Sequence, residues 1–200
     1  SHFETDPELP VENVSWDDIT DKFLPAVQQQ VSDLTVALPT EAQWEYACRA
    51  ARESAYWFGD TITKEQANFE AKATVLVKAR PANGWGLYQM HGNVWEWCEG
   101  SKREYSADPV ENPPDGQDRN SRALRGGSWV SVAWYARSAY RHGSRRASRY
   151  QSFGFRFSLR SIKPSQGQVK GSGGAAAKGV SRPAEPGKGA SGRGARGKKK

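Results

Sequence analysis

All eight tryptophans of this 200-residue chain lie before Lys163, in a sequence whose mean hydropathy is only −0.80. A chain without a core rarely carries so many large apolar rings, so the Trp-bearing part must fold around them. Charge divides at the same place. Of the 29 basic and 22 acidic residues, 10 and one fall from Lys163 onward, which puts +9 on that stretch and −2 on the rest. The same stretch holds half of the 20 glycines and has little to bury. The expected organisation is one globular domain over 1–162 and a disordered basic Gly/Ala/Lys-rich tail over 163–200. The pI of 9.5 therefore describes the tail more than the domain.

Local patterns place the first elements. Ser15 is the expected N-cap of a helix whose first turn carries Asp17 and Asp18, with Ile19, Phe23 and Val27 on one face and Pro25 as a kink. Thr40 and Gln43 form a capping box for a second helix that puts Trp44, Ala47 and Cys48 on one side. Arg122 to Trp129 reads as a strand running into a Gly turn, Ser152 to Leu159 as a last strand, and Asp108 to Asn120 as a polar loop. Regular structure is a minority, with loops pinned by Trp. Cys48 and Cys98 either pair or are two buried thiols, and two Cys with three His leave a structural zinc site without support. No apolar run has the length of a membrane span.

Five motifs in order make the sequence recognisable: Pro10 to Trp16, Leu38-Pro39-Thr40-Glu41-Ala42-Gln43-Trp44-Glu45-Tyr46-Ala47, Asn83 to Trp97, Arg125-Gly126-Gly127-Ser128-Trp129 and Gly154-Phe155-Arg156. Over about residues 10–160 the chain resembles the formylglycine-generating enzyme (sulfatase-modifying factor) family. The resemblance implies an α+β, C-type lectin-like fold with little regular structure. It also implies a chemistry, the copper- and oxygen-dependent oxidation of a substrate Cys, which needs a pair of thiolates near the Gly-Phe-Arg motif. No Cys lies between Glu99 and Lys200. Copper is therefore not expected, and the chain reads as non-catalytic. The family's calcium loop, carried over, would use the side chains of Gln89 and Glu96 and the carbonyls of Gly92 and Val94, with Gln89 where Asp or Asn is usual. The alternative is that Glu96 only holds the loop. A second family calcium site would use Asn68 and the Phe69 carbonyl.

The resemblance also extends to the variable proteins of diversity-generating retroelements, in which Asn codons are rewritten to Tyr, Ser, His, Val, Ala, Arg or Gly. The expected ligand-binding residues are Val130, Ser131, Val132, Trp134, Tyr135, Tyr140, His142, Ser144, Arg145, Ser148, Tyr150 and Ser152. All but Trp134 fall in that reachable set, and Gln151 beside them does not. Tyr and Arg among Ser and Gly is the composition of a binding surface, with rigid aromatic anchors and adaptable polar contacts. Arg137, Arg141 and Arg149 are expected to be structural, pairing with carboxylates or stacking on Trp. The principal reading is a ligand-binding protein for an unknown protein or surface ligand. A formylglycine-type oxidase, and an adaptor whose basic tail makes weak contact with nucleic acid or another polyanion, are the rivals.

Overall fold

The computed structural model describes residues 6–105 and 116–161. The tail, and residues 106–115, which include the polar loop from Asp108 to residue 115, lie outside them. Ser15 caps the first helical run as expected. Its Oγ accepts from the Asp18 N–H at 3.1 Å, and Asp18 accepts in return from the Ser15 N–H. The run is not one α-helix but α1 (Trp16–Asp18), a π-helical turn (Ile19–Phe23) and α2 (Leu24–Gln28). Pro25 has no N–H to give the preceding turn, and the chain widens there instead of breaking. The run ends at Gln28. The Gln28 side chain donates to the carbonyls of Val31 and Leu34 and accepts from the Val36 N–H, stitching the helix to β1 (Leu34–Ala37). The second helix, α3 (Glu41–Arg49), carries the expected Thr40–Gln43 box, and Trp44 and Cys48 are its buried residues.

Four short strands form the central sheet: β2 (Trp95–Trp97), β3 (Ser121–Arg125), β4 (His142–Arg145) and β5 (Phe153–Phe155), in the order β4-β3-β2-β5. β5 runs parallel to β2 and the other pairs are antiparallel. The residues expected as one last strand are two. β6 (Ser158–Ser161) leaves the central sheet and pairs with β1. The break falls at Arg156 and Phe157, where Arg156 turns inward to Glu96.

The alternation of strand side chains separates two cores. Trp95, Trp97, Leu124 and Phe153 pack with Ile19 and Leu38 on one face. Ala123 and Cys98 pack with Trp44, Cys48 and Met90 on the other. After β3 the chain turns through Gly126 and Gly127, both at positive φ. A Cβ on Gly127 would meet Ala136 at 3.0 Å, so only glycine lets the following loop lie this close to the scaffold. No helix among the described residues is long and apolar enough to cross a membrane.

Candidate recognition face

The segment from Trp129 to Ser152 is fastened to the domain by arginines. Arg125, on β3 and 1% exposed, donates to Glu45 at 2.6 Å, to Glu41 at 3.3 Å and to the Ser138 carbonyl at 2.6 Å. Both acids stand on α3, so the second helix and the start of the segment share one ion-pair lattice. Arg141 grips Glu41 with two nitrogens and donates to the Arg103 carbonyl. Arg146 pairs with Asp17 while lying over Trp16. Arg149 holds both oxygens of Asp18. Those hydrogen bonds, the Arg149 guanidinium foremost, hold the Asp18 carboxyl well below its usual range. Arg141 and Arg149 are thus structural, as the sequence implied.

The expected binding residues divide by exposure. Val130 (59% exposed), Val132, Trp134 (53%), Tyr135 and Tyr150 (56%) present apolar surface to solvent, and Arg145 is exposed with them. Trp134 and Tyr135 stand on a 3-10 turn (Ala133–Ala136). Tyr140 is half-buried. Its ring lies 4.8 Å from Trp134, 4.9 Å from Tyr135 and 5.9 Å from the scaffold ring of Trp95. His142 is half-buried on Trp95, and Ser144, Ser148 and Ser152 are half-buried too. Ser131 must be corrected. It is 6% exposed, and its Oγ accepts from the Ser128 N–H at 3.0 Å, closing the turn that follows the two glycines. It serves the loop and offers nothing outward. The face comprises two parts: an aromatic cluster around Trp134, Tyr135 and Tyr140, and a shallow polar depression lined by Asp118, Ser121, Ser144, Arg145, Ser148 and Tyr150.

Beneath the 3-10 turn lies His91, 2% exposed. Its Nδ1 is 2.7 Å from the Ala136 carbonyl and its Nε2 accepts from the Trp57 N–H at 3.2 Å. These partners require a neutral ring protonated at Nδ1. Burial pushes His91 down to about 4. Sequence reasoning did not single out this residue, because a lone His in a Gly-Asn-rich loop carries no signal of what it will face.

Cys48 and Cys98 are both buried and unpaired, which selects the second of the two expectations. Burial raises the Cys48 thiol to about 12 and Cys98 well above its usual value. Thiols held protonated in this way are poor nucleophiles. Neither neighbours the Gly-Phe-Arg motif in sequence.

In the calcium set, the Glu96 carboxylate is occupied by the protein's own groups. Glu96 accepts from Arg156 through both oxygens, at 2.5 and 2.6 Å, and from the Trp44 Nε1–H at 2.6 Å. Gln89 donates to the Leu76 carbonyl, and its Oε1 is buried without a partner. As seated, the set does not fit a divalent cation, because its one carboxylate is already neutralised by a guanidinium. No cluster of three or more His, Cys, Asp or Glu suited to a metal occurs among the described residues. Asn68 at the second family site donates through its Nδ2 to Ala73 O and Asn93 Oδ1, bonds that do not use its Oδ1, the atom a cation would take. Millimolar calcium is expected to raise the melting temperature by less than about 1 °C in a thermal scan. A larger rise would mean that Arg156 yields its place to the ion.

Comparison with known proteins follows this geometry. A family model described as the sulfatase-modifying factor enzyme 1-like domain matches residues 1–161. Serine/threonine-protein kinase pkn1 of Chlamydia caviae is 41% identical over 124 residues, which cover 60% of this chain and 20% of the kinase. Inactive C-alpha-formylglycine-generating enzyme 2 of Mus musculus is 30% identical over 179 residues, covering 80% of this chain and 52% of that protein. Treponema denticola variable protein 1 shares the fold with a TM-score of 0.71 at 22% identity, over 80% of this chain and 74% of its own. The chain spans a fifth of the kinase and about half of the inactive enzyme.

Proposed function

The chain belongs to the sulfatase-modifying factor enzyme 1-like domain family, and on that premise we propose that it is a non-catalytic binding protein whose Trp129–Ser152 segment is the recognition face. One observation carries the reading. Within six residues, Val130, Val132, Trp134 and Tyr135 expose large apolar side chains, while the residues between them are tied into the scaffold. Exposed aromatics on a rigid frame lose little conformational freedom on binding and supply large contact area. The kinship to an inactive relative and the fold shared with a variable protein support the same direction. A near-duplicate of this coding segment beside a reverse transcriptase gene would support a retroelement origin.

The reading is tested without knowing the ligand. A display library randomised at Val130, Val132, Trp134, Tyr135, Arg145 and Tyr150 is expected to stay folded, with most members melting within about 5 °C of the parent. Selection against an unrelated protein such as lysozyme should then yield specific binders. Widespread unfolding would mean that these side chains hold the core. In parallel, a Cys-containing sulfatase peptide incubated with this protein, copper and dioxygen should show no aldehyde by mass spectrometry. Formylglycine in that peptide would restore the oxidase reading.

A further inference from the structure

Five arginines and no acid lie between Trp129 and Ser152. Arg141, Arg146 and Arg149 are neutralised by Glu41, Asp17 and Asp18. Arg137 and Arg145 have no carboxylate partner among the described residues. Arg145 is a free side chain on the edge strand β4. Arg137 is different, because it is held. Its guanidinium lies over the Trp134 ring at 4.1 Å from the centroid, and its Nε donates to the Trp134 carbonyl at 3.2 Å. Its two terminal nitrogens have no hydrogen-bond partner among the described residues and, unlike the Nε of Arg125, are not sealed from solvent.

A guanidinium with its plane stacked and its Nε anchored has lost most of its rotamer freedom before any ligand arrives. What remains is the two-pronged edge that matches a carboxylate. Beside it stand the exposed rings of Trp134, over which it lies, and of Tyr135, which packs on Trp134 at 5.6 Å. We propose that Arg137 is the anchor of the recognition face and that the partner is a protein segment carrying an Asp or Glu flanked by an apolar residue. The carboxylate takes the free edge of Arg137, and the apolar neighbour lies on Trp134 and Tyr135. This rests on the recognition-face reading and adds the chemistry of the partner. Nucleic acid fits less well, because binding driven by phosphates needs many unpaired cations, and here only two are unpaired beside a broad apolar surface. Arg137 thus departs from the sequence expectation. It stacks on Trp, as foreseen, but it is the one arginine of the three that leaves its charge for something else.

The test is an array of short peptides with Asp or Glu at the centre and varied flanks, a matched array with Asn or Gln, and single-stranded DNA as the polyanion probe. The wild-type chain should bind acid-centred peptides with apolar flanks at least about tenfold more tightly than their amide counterparts. Arg137→Gln should abolish that preference. Arg137→Lys should recover only part of it, since it restores the charge without the fork. Both variants should keep the parental circular dichroism and melting temperature. Acid-centred binding that survives Arg137→Gln but is lost in Trp134→Ala would overturn the anchor while sparing the recognition face. Peptide binding lost in neither variant would overturn both. Tighter binding to DNA than to any peptide, or no peptide bound at all, would overturn the partner class, and the display library would then decide the recognition face by itself.

Discussion

Arg125→Met is expected to destabilise the domain by about 3 kcal/mol, the low end of the range for breaking a buried ion pair. The reason for the low end is visible in the lattice. Removing Arg125 does not strand its acids, because Glu41 keeps Arg141 and Glu45 keeps Arg49. What is lost is the donor to the Ser138 carbonyl, the stacking over Trp44 and the volume of a fully buried side chain. In a domain of this size that corresponds to a fall in melting temperature on the order of 10 °C. Arg149→Gln, which breaks an exposed pair with Asp18, should cost no more than about 1 kcal/mol. Urea denaturation of the two variants checks the contrast. Equal losses would mean that the buried lattice is no more important than the surface one. Because Arg125 joins α3 to the start of the recognition segment, the same variant should also make that segment the first to exchange its amide hydrogens.

The second large effect is a loss of stability between pH 6.5 and about 4. His91 is neutral in the folded chain and titrates at about 4, against 6.5 as its ordinary value. In that window the unfolded chain binds a proton that the folded chain refuses, so stability is complete above pH 6.5 and falls as the pH drops. A displacement of this size corresponds to roughly 3 kcal/mol. Asp18 acts in a separate window. Its carboxyl is held low by Arg149 and Ser15, so its contribution persists to below the ordinary carboxylate value of 3.8 and is lost only under stronger acid. Denaturant midpoints measured from pH 7 to pH 4 should therefore decline steadily, and His91→Gln should flatten the decline even though the variant is weaker at pH 7. A wild-type midpoint that does not change over this range would show that His91 is accessible and charged. Protonation would cost the bond from the Trp57 N–H, so the 3-10 turn under Trp134 and Tyr135 should loosen with it.

How much of this was legible in advance differs from residue to residue. The two capping boxes were readable because each lies within four residues of chain and depends on side-chain type alone. The Gly126-Gly127 turn was readable for a similar local reason. The division of the last strand was not, because alternation runs unbroken through Ser152 to Leu159, and only the pull of Glu96 on Arg156 turns the chain there. Ser131 and Val132 look alike as candidates in the sequence. One faces the turn and the other solvent because Ser128 lies across from the first.

The sequence by itself determined the family, the α+β class and the absence of any Cys after Cys98. These are matters of which residues are present and in what order. The tertiary structure alone decided the pairing of charges. It set Arg156 on Glu96, Arg125 and Arg141 on Glu41, Arg146 on Asp17 and Arg149 on Asp18, and it left Arg137 stacked on Trp134 without an acid among the described residues. Which arginine is consumed by the scaffold and which remains for a partner depends on distances between residues far apart in the chain, and electrostatic energy is a function of those distances rather than of sequence.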